Sequence, residues 1–382
     1  MAEVYIIAAV RTPIGAGKPE SGALYPIAPV DLAAHVLREV VRRAQTDPVD
    51  IDDVILGIVT PIDDQGANLA RLAALQAGFP VRAPAVSINR MCGSSQQAVH
   101  FGAQAILAGD MDLVLTGGVE MMSHQPLGSD YPKSWPANFP HRLVHQGISA
   151  EMMAELWHLG RQELDDYAYQ SHLRAGAAIQ SGALAAQILP LEITSDDGSV
   201  RRVEVDQGVR LPPNREKMAS LPPAFKPDGV VTAGNSSQVS DGAAVLALAS
   251  EAYVRRTGAT PLARLVARVV VGSDPVLMLD GPIPATRKVL ERAGLSLDQM
   301  DRIEINEAFA SVVLAWHKET GADLARVNVD GGAIAHGHPL GATGAVLMTK
   351  LVDGLRRSGG RYGLQTMCIG HGMATATILE RL

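Results

Sequence analysis

A pattern of helices and strands occurs twice in this chain, and the repetition constrains its fold more than any other feature. In residues 30–118 and again in residues 284–382, the hydrophobic pattern predicts helix, strand, helix, strand, a small-residue turn, a buried helix and a strand. Strands that alternate with helices are typical of a layered α/β core. We therefore expect an α/β fold with two related halves that share a pattern more than residue identities.

The regular pattern stops after Gly118 and returns at Asp241. Residues 120–239 are irregular and rich in Pro, His, Met and Trp, apart from a helix pair predicted near residues 150–159 and 163–181. Long structured segments that leave a regular core usually contain binding residues. The alternative is an insertion that only increases solubility. We expect an inserted loop domain here.

This excursion separates two parts of the core. The expected units are a first half formed by residues 1–119 together with about 240–271, the loop domain of residues 120–239, and a second half of residues 272–382. Directly after the excursion, the run from Ala243 to Arg256 is predicted to be a helix, and the run from Leu262 to Val271 a strand.

Composition limits the compartment and the partners of the chain. Only 2 of the 382 residues are cysteine, which argues against a disulfide scaffold and fits a reducing compartment. The net charge of −7 argues against general binding to nucleic acid. No targeting segment is evident and no run approaches the length of a membrane span, so we expect a cytoplasmic protein.

Cys92 lies in the motif N-R-M-C-G-S-S, between an extended apolar segment and a helix that Gly109 closes. This arrangement puts the thiol at a helix N-terminus, where unsatisfied N–H groups and the helix dipole favour a thiolate. The alternative is a small buried hydrophobic residue, the usual role of a free cysteine. When the two halves are overlaid, Cys92 and His338 occupy matching turns before matching helices. We expect a nucleophile from one half to face a histidine from the other.

Three further segments carry candidate functional residues at strand ends or before helices, where α/β sheets place their sites. They are N-E-A-F-A from Asn306, G-G-A-I-A-H-G-H-P-L-G-A-T-G through His338, and C-I-G-H-G from Cys368. His336 and His338 could form half of a zinc site, but no further ligands are evident, so no metal is expected. The spacings of dinucleotide, phosphate-loop and serine-hydrolase motifs are absent.

Together these four motifs resemble those of the thiolases, coenzyme A-dependent enzymes that cleave or form a carbon–carbon bond next to a thioester. The motifs occur in the family's order, span nearly the whole chain and include both cysteines. The resemblance implies a duplicated αβαβα layered core with an inserted loop domain. It also implies a homodimer or homotetramer, and coenzyme A as a co-substrate with no permanently bound cofactor.

The resemblance also implies a role for each motif. Cys92 would attack the keto carbon of a 3-ketoacyl-CoA and carry the acyl group, His338 would take the Cys92 proton, and Cys368 would be the acid and base. Asn306 would hold a water that forms one oxyanion hole with His338. The N–H groups of Cys92 and Gly370 would form the second.

Other positions match residues that bind substrate in this family. Those that match the coenzyme A pocket are Arg210, Phe225, Ala233, Gly234 and Ser237. Met278 and Phe309 match apolar walls near the acyl group, and Glu307 matches a residue that supports the site. Two departures are Gln146, where biosynthetic relatives usually carry Met, and His371, where the family usually has glycine.

The favoured function is thiolytic cleavage of 3-ketoacyl-CoA to acetyl-CoA and a shortened acyl-CoA, as in fatty acid β-oxidation. The alternative within the family is an acetyl-CoA C-acetyltransferase that condenses two acetyl-CoA molecules. A β-ketoacyl synthase would carry a histidine at the position of Asn306, and a second cysteine is present here. A non-catalytic lipid carrier would be favoured by loss of either cysteine or of His338, and all three are intact.

Overall fold

The computed structural model describes residues 3–194 and 198–382, and its first half follows the predicted alternation. The elements are β1 (Val4–Arg11), β2 (Gly15–Ala16), α1 (Pro29–Ala44), β3 (Asp53–Gly57), α2 (Leu69–Gln76), β4 (Ala85–Ile88), α3 (Ser94–Ala108) and β5 (Leu113–Met121). Pro29 suits the first turn of α1, where its missing N–H has no partner to lose. Gly109 ends α3 with a left-handed backbone conformation.

The excursion leaves the sheet after β5. Its regular elements are α4 (Gln146–Leu156), α5 (Arg161–Gln180), the paired strands β6 (Leu191–Thr194) and β7 (Val200–Val203), and α6 (Arg215–Ala219). The predicted helix pair is therefore present, with its ends shifted by a few residues. One apolar cluster joins α4 and α5 to Phe309 and Cys368, so the excursion packs against the second half of the core.

The remaining elements complete the core. They are β8 (Ser240–Ser250), α7 (Glu251–Thr257), β9 (Ala263–Gly272), α8 (Pro282–Ala293), β10 (Arg302–Ile305), α9 (Ala310–Thr320), α10 (Ala333–His336), α11 (Leu340–Ser358), β11 (Tyr362–Ile369) and β12 (Met373–Arg381). Pro282 begins α8, and Gly294 follows its last residue in a left-handed conformation. Both residues act at the helix ends that their backbone preferences favour.

The helix predicted from Ala243 to Arg256 is wrong over most of its length. Residues Ser240–Ser250 form β8, whose residues are all buried, and β8 lies between β1 and β5, antiparallel to both. Alanine favours helices, and a strand covered on both faces shows no alternation of apolar and polar residues. The sequence therefore lacked the signal of a strand, and only Glu251–Thr257 is helical.

Within the part of the chain that the structure describes, the main sheet has the strand order β10-β11-β12-β9-β1-β8-β5-β3-β4. Outward from the central contact of β1 with β9, one half runs β1, β8, β5, β3, β4 and the other β9, β12, β11, β10. Val327 forms a parallel bridge with Ile303 of β10, in the place that β4 takes beside β3. The two halves thus repeat one strand order, as the sequence pattern predicts.

Helices α3 and α11 form the middle layer of the molecule. They pack against each other, and α11 contacts β5 and β8 of one half as well as β10 and β11 of the other. Helices α1 and α8 cover the outer faces of the first and second halves. A Cβ on Gly344 of α11 would lie 2.4 Å from the Gln96 nitrogen of α3, so glycine permits this close approach. The layers run helix, sheet, helix, sheet, helix, as expected.

The residue boundaries of the three units stay a prediction. Over residues 3–194 and 198–382, none of the helices combines the length and the apolar character needed to cross a membrane.

Candidate active site

Cys92 lies in the turn that links β4 to α3. Met91 before it has a φ of 45°, and two hydrogen bonds fix the turn: the Met91 N–H donates to Asn89 Oδ1 at 2.8 Å, and Ser94 Oγ donates to the Met91 carbonyl at 2.6 Å. The backbone N–H groups of Cys92 and Gly370 are hydrogen-bonded to the Cys92 sulfur. The turn therefore presents the sulfur to two backbone donors from different halves of the core.

Burial controls the charge of this thiol. The Cys92 side chain is buried, and desolvation raises its pKa to about 11, although the two N–H groups act in the opposite direction. The buried carboxyl group of Glu120 raises the pKa further. The expected resting thiolate is therefore wrong, because desolvation outweighs the helix N-terminus. Cys92 is a neutral thiol until a base takes its proton.

His338 lies between α10 and α11 and is the candidate base. Its Nδ1 lies 2.6 Å from Thr343 Oγ1, and that hydroxyl lies 2.9 Å from the Pro339 carbonyl oxygen. Because this hydroxyl donates its own hydrogen to the carbonyl oxygen, it accepts a hydrogen bond from the Nδ1–H of His338. The proton of the neutral imidazole is therefore on Nδ1, and Nε2 is a hydrogen-bond acceptor. Burial lowers the pKa of His338 to about 4, so the imidazole is neutral at pH 7.

Asn306 directly follows β10 and contacts this imidazole. Its Nδ2 donates to His338 Nε2 at 3.3 Å. The Asn306 side chain is buried, and among the described residues its Oδ1 has no hydrogen-bond partner. Buried polar atoms are nearly always paired, so this oxygen is suited to accept a hydrogen bond from a water or from a substrate group.

Cys368 lies near the end of β11 and joins the same site. Burial raises its pKa above the ordinary thiol value, and negative charge on Cys92 raises it further, which shows that the two thiols are close. The turns that carry them are in contact, because a Cβ on Gly93 would lie 2.3 Å from Ile369 Cδ1. Cys368 therefore keeps its proton at neutral pH.

Glu307 ties the excursion to the site. Its buried carboxylate accepts hydrogen bonds from Tyr167 Oη at 2.8 Å, Ser171 Oγ at 2.7 Å, Asn328 Nδ2 at 2.9 Å and the Ile334 N–H at 3.1 Å. These donors belong to α5, to the turn after Val327 and to α10. The carboxylate thus holds three segments in place, one of which leads directly to His338, and this geometry supports a positioning role.

Part of the predicted coenzyme A set lies beside the chain that follows Asn306. The Ser237 N–H donates to the Ala308 carbonyl at 2.9 Å, so the segment of Ala233, Gly234 and Ser237 runs beside Phe309. The ring of Phe225 meets Phe309 edge-on at 5.9 Å between centroids. Arg210 is exposed, and its guanidinium makes no hydrogen bond or ion pair within residues 3–194 and 198–382.

The predicted acyl-pocket residues lie against one of the two thiols. Met278 and Phe309 belong to the same apolar cluster as Cys368, together with Met153 of α4 and Ile334 of α10. The structure therefore brings an apolar wall to Cys368, built partly from the excursion and partly from the second half.

Two carboxylates that position the site carry no recognisable motif. Glu120 at the end of β5 is buried, and it accepts hydrogen bonds from the N–H groups of Val59, Thr60 and Gly341 and from Gln65 Nε2. Burial raises its pKa, although those donors lower it. Glu120 thereby joins the loop after β3 to the start of α11. Its partner Gly341 lies 221 positions away, so only the fold reveals the contact.

Asp206 of the excursion is the other such carboxylate. It pairs with Arg11 at 2.7 Å and 3.0 Å, and Nδ1 of His336 lies 2.7 Å from its second oxygen. His336 Nε2 lies 2.8 Å from the Asp330 carbonyl, so His336 and His338 face different partners. In the described ranges, no group of three or more His, Cys, Asp or Glu side chains is arranged to hold a metal ion.

A buried cysteine facing backbone donors, a neutral histidine and a second protonated thiol, set on a duplicated α/β core, define an acyltransferase. Family models for the thiolase N-terminal domain and the thiolase C-terminal domain match residues 4–252 and 259–381. These matches cover most of the chain, which belongs to the thiolase family.

Several named relatives match the chain over its whole length. A steroid 3-ketoacyl-CoA thiolase of Mycobacterium tuberculosis is 47% identical over 396 aligned residues, covering 100% of this chain and 95% of the relative. A 3-ketoacyl-CoA thiolase of Yersinia enterocolitica is 43% identical, covering 100% of both. The crystal structure of the Bacillus anthracis acetyl-CoA acetyltransferase superposes with a TM-score of 0.92 at 40% identity, covering 100% of this chain and 99% of that one.

Proposed function

We propose that this enzyme cleaves a 3-ketoacyl-CoA with coenzyme A, giving acetyl-CoA and a shortened acyl-CoA. The observation that carries this proposal is the Cys92 sulfur, which accepts from the Gly370 N–H and lies beside a second thiol that keeps its proton. The names of the Mycobacterium and Yersinia relatives agree with degradation of 3-ketoacyl-CoA. The alternative, condensation of two acetyl-CoA molecules, is favoured by the name of the Bacillus structure.

In the first half-reaction, His338 Nε2 takes the proton of Cys92 as the sulfur bonds to C3 of the substrate. The N–H groups of Cys92 and Gly370, which lie beside the sulfur, stabilise the C3 oxygen as it becomes negative. The C2–C3 bond then breaks, and its electron pair passes into the enolate of acetyl-CoA. Cys368 protonates C2, while Asn306 with a bound water and the His338 imidazolium stabilise the enolate oxygen.

In the second half-reaction, the Cys368 thiolate takes the proton of the incoming coenzyme A thiol. The coenzyme A sulfur attacks the acyl carbon, and the bond from that carbon to Cys92 breaks. His338 returns its proton to the Cys92 sulfur, which restores the starting state. A thiol suits the role of Cys368 because its proton affinity is close to that of the thiol it must deprotonate.

Coenzyme A is the proposed co-substrate, held by the excursion. The segment from Ala233 to Ser237 lies beside Phe309 and therefore leads the pantetheine arm towards the site. Phe225 offers an apolar ring next to that path. The unpaired guanidinium of Arg210 is suited to the phosphates or the adenine ring.

The direct test is acylation followed by cleavage. Incubation with acetyl-CoA should add the mass of one acetyl group to the intact protein, and peptide mapping should place it on Cys92. Acetoacetyl-CoA and longer 3-ketoacyl-CoA substrates should then be consumed beyond one equivalent per active site only when coenzyme A is added. If the enzyme forms no acyl-protein and cleaves none of these thioesters, the proposed function is wrong. Faster condensation of acetyl-CoA than cleavage of longer substrates would favour the alternative.

Replacement of Thr343 by valine should slow acylation of Cys92 by roughly five- to tenfold, the effect of losing one neutral hydrogen bond. Without the hydroxyl, His338 Nδ1 loses its acceptor and the tautomer that leaves Nε2 free is no longer favoured. Stopped-flow measurement of the acylation step checks this.

Thr349→Val is the matched control for this variant. Thr349 lies on the same helix, is equally buried, and donates to the Ala345 carbonyl at 2.8 Å as Thr343 does to Pro339, but it does not contact the histidine. An equal loss of acylation rate in both variants would contradict the role given to Thr343.

A second copy of the chain is the proposed partner, as a homodimer or a dimer of dimers. Strand β4 is the last strand at its end of the sheet, and its Val86 is 41% exposed. On the neighbouring helices, Leu72 and Leu75 of α2 and Phe101 of α3 are also exposed. An unpaired strand edge flanked by apolar side chains favours pairing with an identical strand about a two-fold axis.

Light scattering should therefore give twice or four times the 40.3 kDa of one chain. Val86→Lys places like charges on facing strands and should shift the protein towards 40.3 kDa. Val200→Lys, at an exposed position on β7, should leave the mass unchanged. A wild-type particle of 40.3 kDa at micromolar concentration would contradict the proposal.

The cytoplasm is the proposed location. Both cysteines of the chain are free thiols in the structure, and the proposed chemistry requires both to stay reduced. Fractionation of cells, followed by detection of the protein with an antibody, would locate it.

A further inference from the structure

Four ring-bearing side chains lie together beside the active site, and we call them the aromatic cluster: Tyr131, Trp135, Phe139 and His371. Ring centroids are 6.1 Å apart for Tyr131 and His371, 6.3 Å for Trp135 and His371, and 5.2 Å for Trp135 and Phe139. The first three belong to the excursion, whereas His371 follows Gly370, whose N–H donates to Cys92. The cluster therefore begins at the residue after Gly370, whose N–H lies beside the Cys92 sulfur.

The cluster is held open to solvent. Tyr131 is 44% exposed, Trp135 47% and Phe139 39%, although aromatic side chains gain most when buried. A contiguous exposed apolar patch on a protein usually binds a ligand or a partner. Burial raises the pKa of Tyr131, and negative charge on Cys92 raises it further, so the phenol lies near the reacting sulfur. The acyl group carried by Cys92 is therefore the ligand that this position favours.

His371 adopts a backbone conformation that favours glycine. Its φ is 64°, in the left-handed region that costs a side chain roughly 1–2 kcal/mol. Within the described residues, its imidazole makes ring contacts with Tyr131 and Trp135 and no hydrogen bond. Through these ring contacts, the His371 side chain extends the aromatic surface towards Gly370.

A free amide lies beside Gly370, the residue that directly precedes His371 of the aromatic cluster. Gln146 begins α4, and its Nε2 lies 3.2 Å from the place of a Cβ on Gly370. Neither this amide nor the Tyr131 hydroxyl makes a hydrogen bond within residues 3–194 and 198–382. A polar group that a ligand covers costs free energy unless the ligand supplies a partner. An oxygen on an acyl group that covers Gln146 would give this amide a partner.

We propose that the acyl pocket selects a ring-bearing acyl group with a hydrogen-bonding oxygen, and that Tyr131, Trp135 and His371 contact the ring while Gln146 contacts the oxygen. This proposal rests on the thiolase reaction proposed above and names its substrate class. A rigid ring matches aromatic faces and loses fewer rotatable bonds on binding than a linear chain of equal carbon number.

Three substrates with equal numbers of acyl carbons test the proposal. They are linear 3-oxononanoyl-CoA, 3-cyclohexyl-3-oxopropanoyl-CoA, and 3-oxo-3-(4-oxocyclohexyl)propanoyl-CoA, which adds an oxygen to the ring. The kcat/KM for thiolysis should rise about tenfold from linear to ring, and about tenfold again with the ring oxygen, because a desolvated amide rejects a substrate that leaves it unpaired. Equal or faster cleavage of the linear substrate would overturn the proposal.

Substitutions test which residues cause the preference for a ring and which cause the preference for the ring oxygen. Trp135→Ala and His371→Gly should reduce the ring-to-linear ratio to near one, whereas Gln146→Met should remove only the advantage of the ring oxygen. Because the φ of 64° favours glycine, His371→Gly should not lower the melting temperature, so its effect is not one of folding. Val200→Ala, an exposed apolar position on β7, should preserve both ratios.

Failure of this inference can be distinguished from failure of the proposed function. If Cys92 is acylated and acetoacetyl-CoA is cleaved while the ring substrates have no advantage, only the substrate class is wrong. If no thioester acylates Cys92, the thiolase reaction and the substrate class are both wrong. Equal losses on all three substrates in Trp135→Ala and His371→Gly would also overturn the selection by the aromatic cluster.

Discussion

Replacement of Cys92 by serine should abolish the acyl-enzyme and lower turnover by roughly 10³- to 10⁶-fold. A hydroxyl is a far weaker acid than a thiol, and the site already disfavours charge at this position, since burial raises the Cys92 pKa to about 11. The base is also weak, because burial lowers the pKa of His338 to about 4. Neither the base nor the two N–H groups can therefore compensate for the less acidic nucleophile.

Intact-protein mass spectrometry after incubation with acetyl-CoA measures the first effect, and a thiolysis assay measures the second. The substitution is nearly isosteric, and Cys92 packs against Val59, Met122 and Met367, so the melting temperature should change little. That measurement separates lost chemistry from lost folding. Near-normal turnover in the serine variant would show that another residue carries the acyl group.

Replacement of Cys368 by alanine should separate the two half-reactions. Without an acid for the departing carbanion and a base for coenzyme A, thiolysis should fall by roughly 10²- to 10⁴-fold. Cys92, His338 and the two N–H groups remain, so an activated thioester such as S-phenyl thioacetate, whose leaving thiol needs no proton, should still acylate Cys92.

To check this, the yield of acyl-protein and the rate of thiolysis are measured in the same preparation of each variant. Cys92→Ser should lose both activities, whereas Cys368→Ala should keep the first and lose the second. Thiolysis close to the wild-type rate in Cys368→Ala would mean that another group moves the proton. His371 would be the first candidate, because it lies three residues along the chain and its ring is partly exposed beside the site.

The sequence was sufficient to predict those features of the fold and the site that depend on short local patterns of residue types. The repeated order of helices and strands predicted the two related halves, and four short motifs, two of which directly precede α3 and α11, predicted the family. The same holds for α8, where proline and glycine mark the two ends. Backbone preferences act over a few residues, so no distant partner is needed to predict them.

Prediction failed where burial on both faces hides the periodicity. The sequence predicts a helix over most of β8 because an alanine-rich run favours a helix in isolation, but the position of this segment between β1 and β5 makes it a strand. The prediction that Cys92 is a resting thiolate was wrong for a related reason. A helix N-terminus can be predicted from sequence, but the desolvation that outweighs it depends on the packing of Val59, Met122 and Met367 around the sulfur.

The sequence by itself determined the family, the two halves and the four motifs, because each is a short pattern of residue types. The tertiary structure alone decided the tautomer of His338, the link from Glu120 to the start of α11, and the approach of Tyr131 to His371. The last two contacts join residues that lie more than 200 positions apart, and no local propensity couples such distant positions. Desolvation and hydrogen bonding act only after the chain has brought these groups together, so their effects on pKa and specificity can be read only from the folded chain.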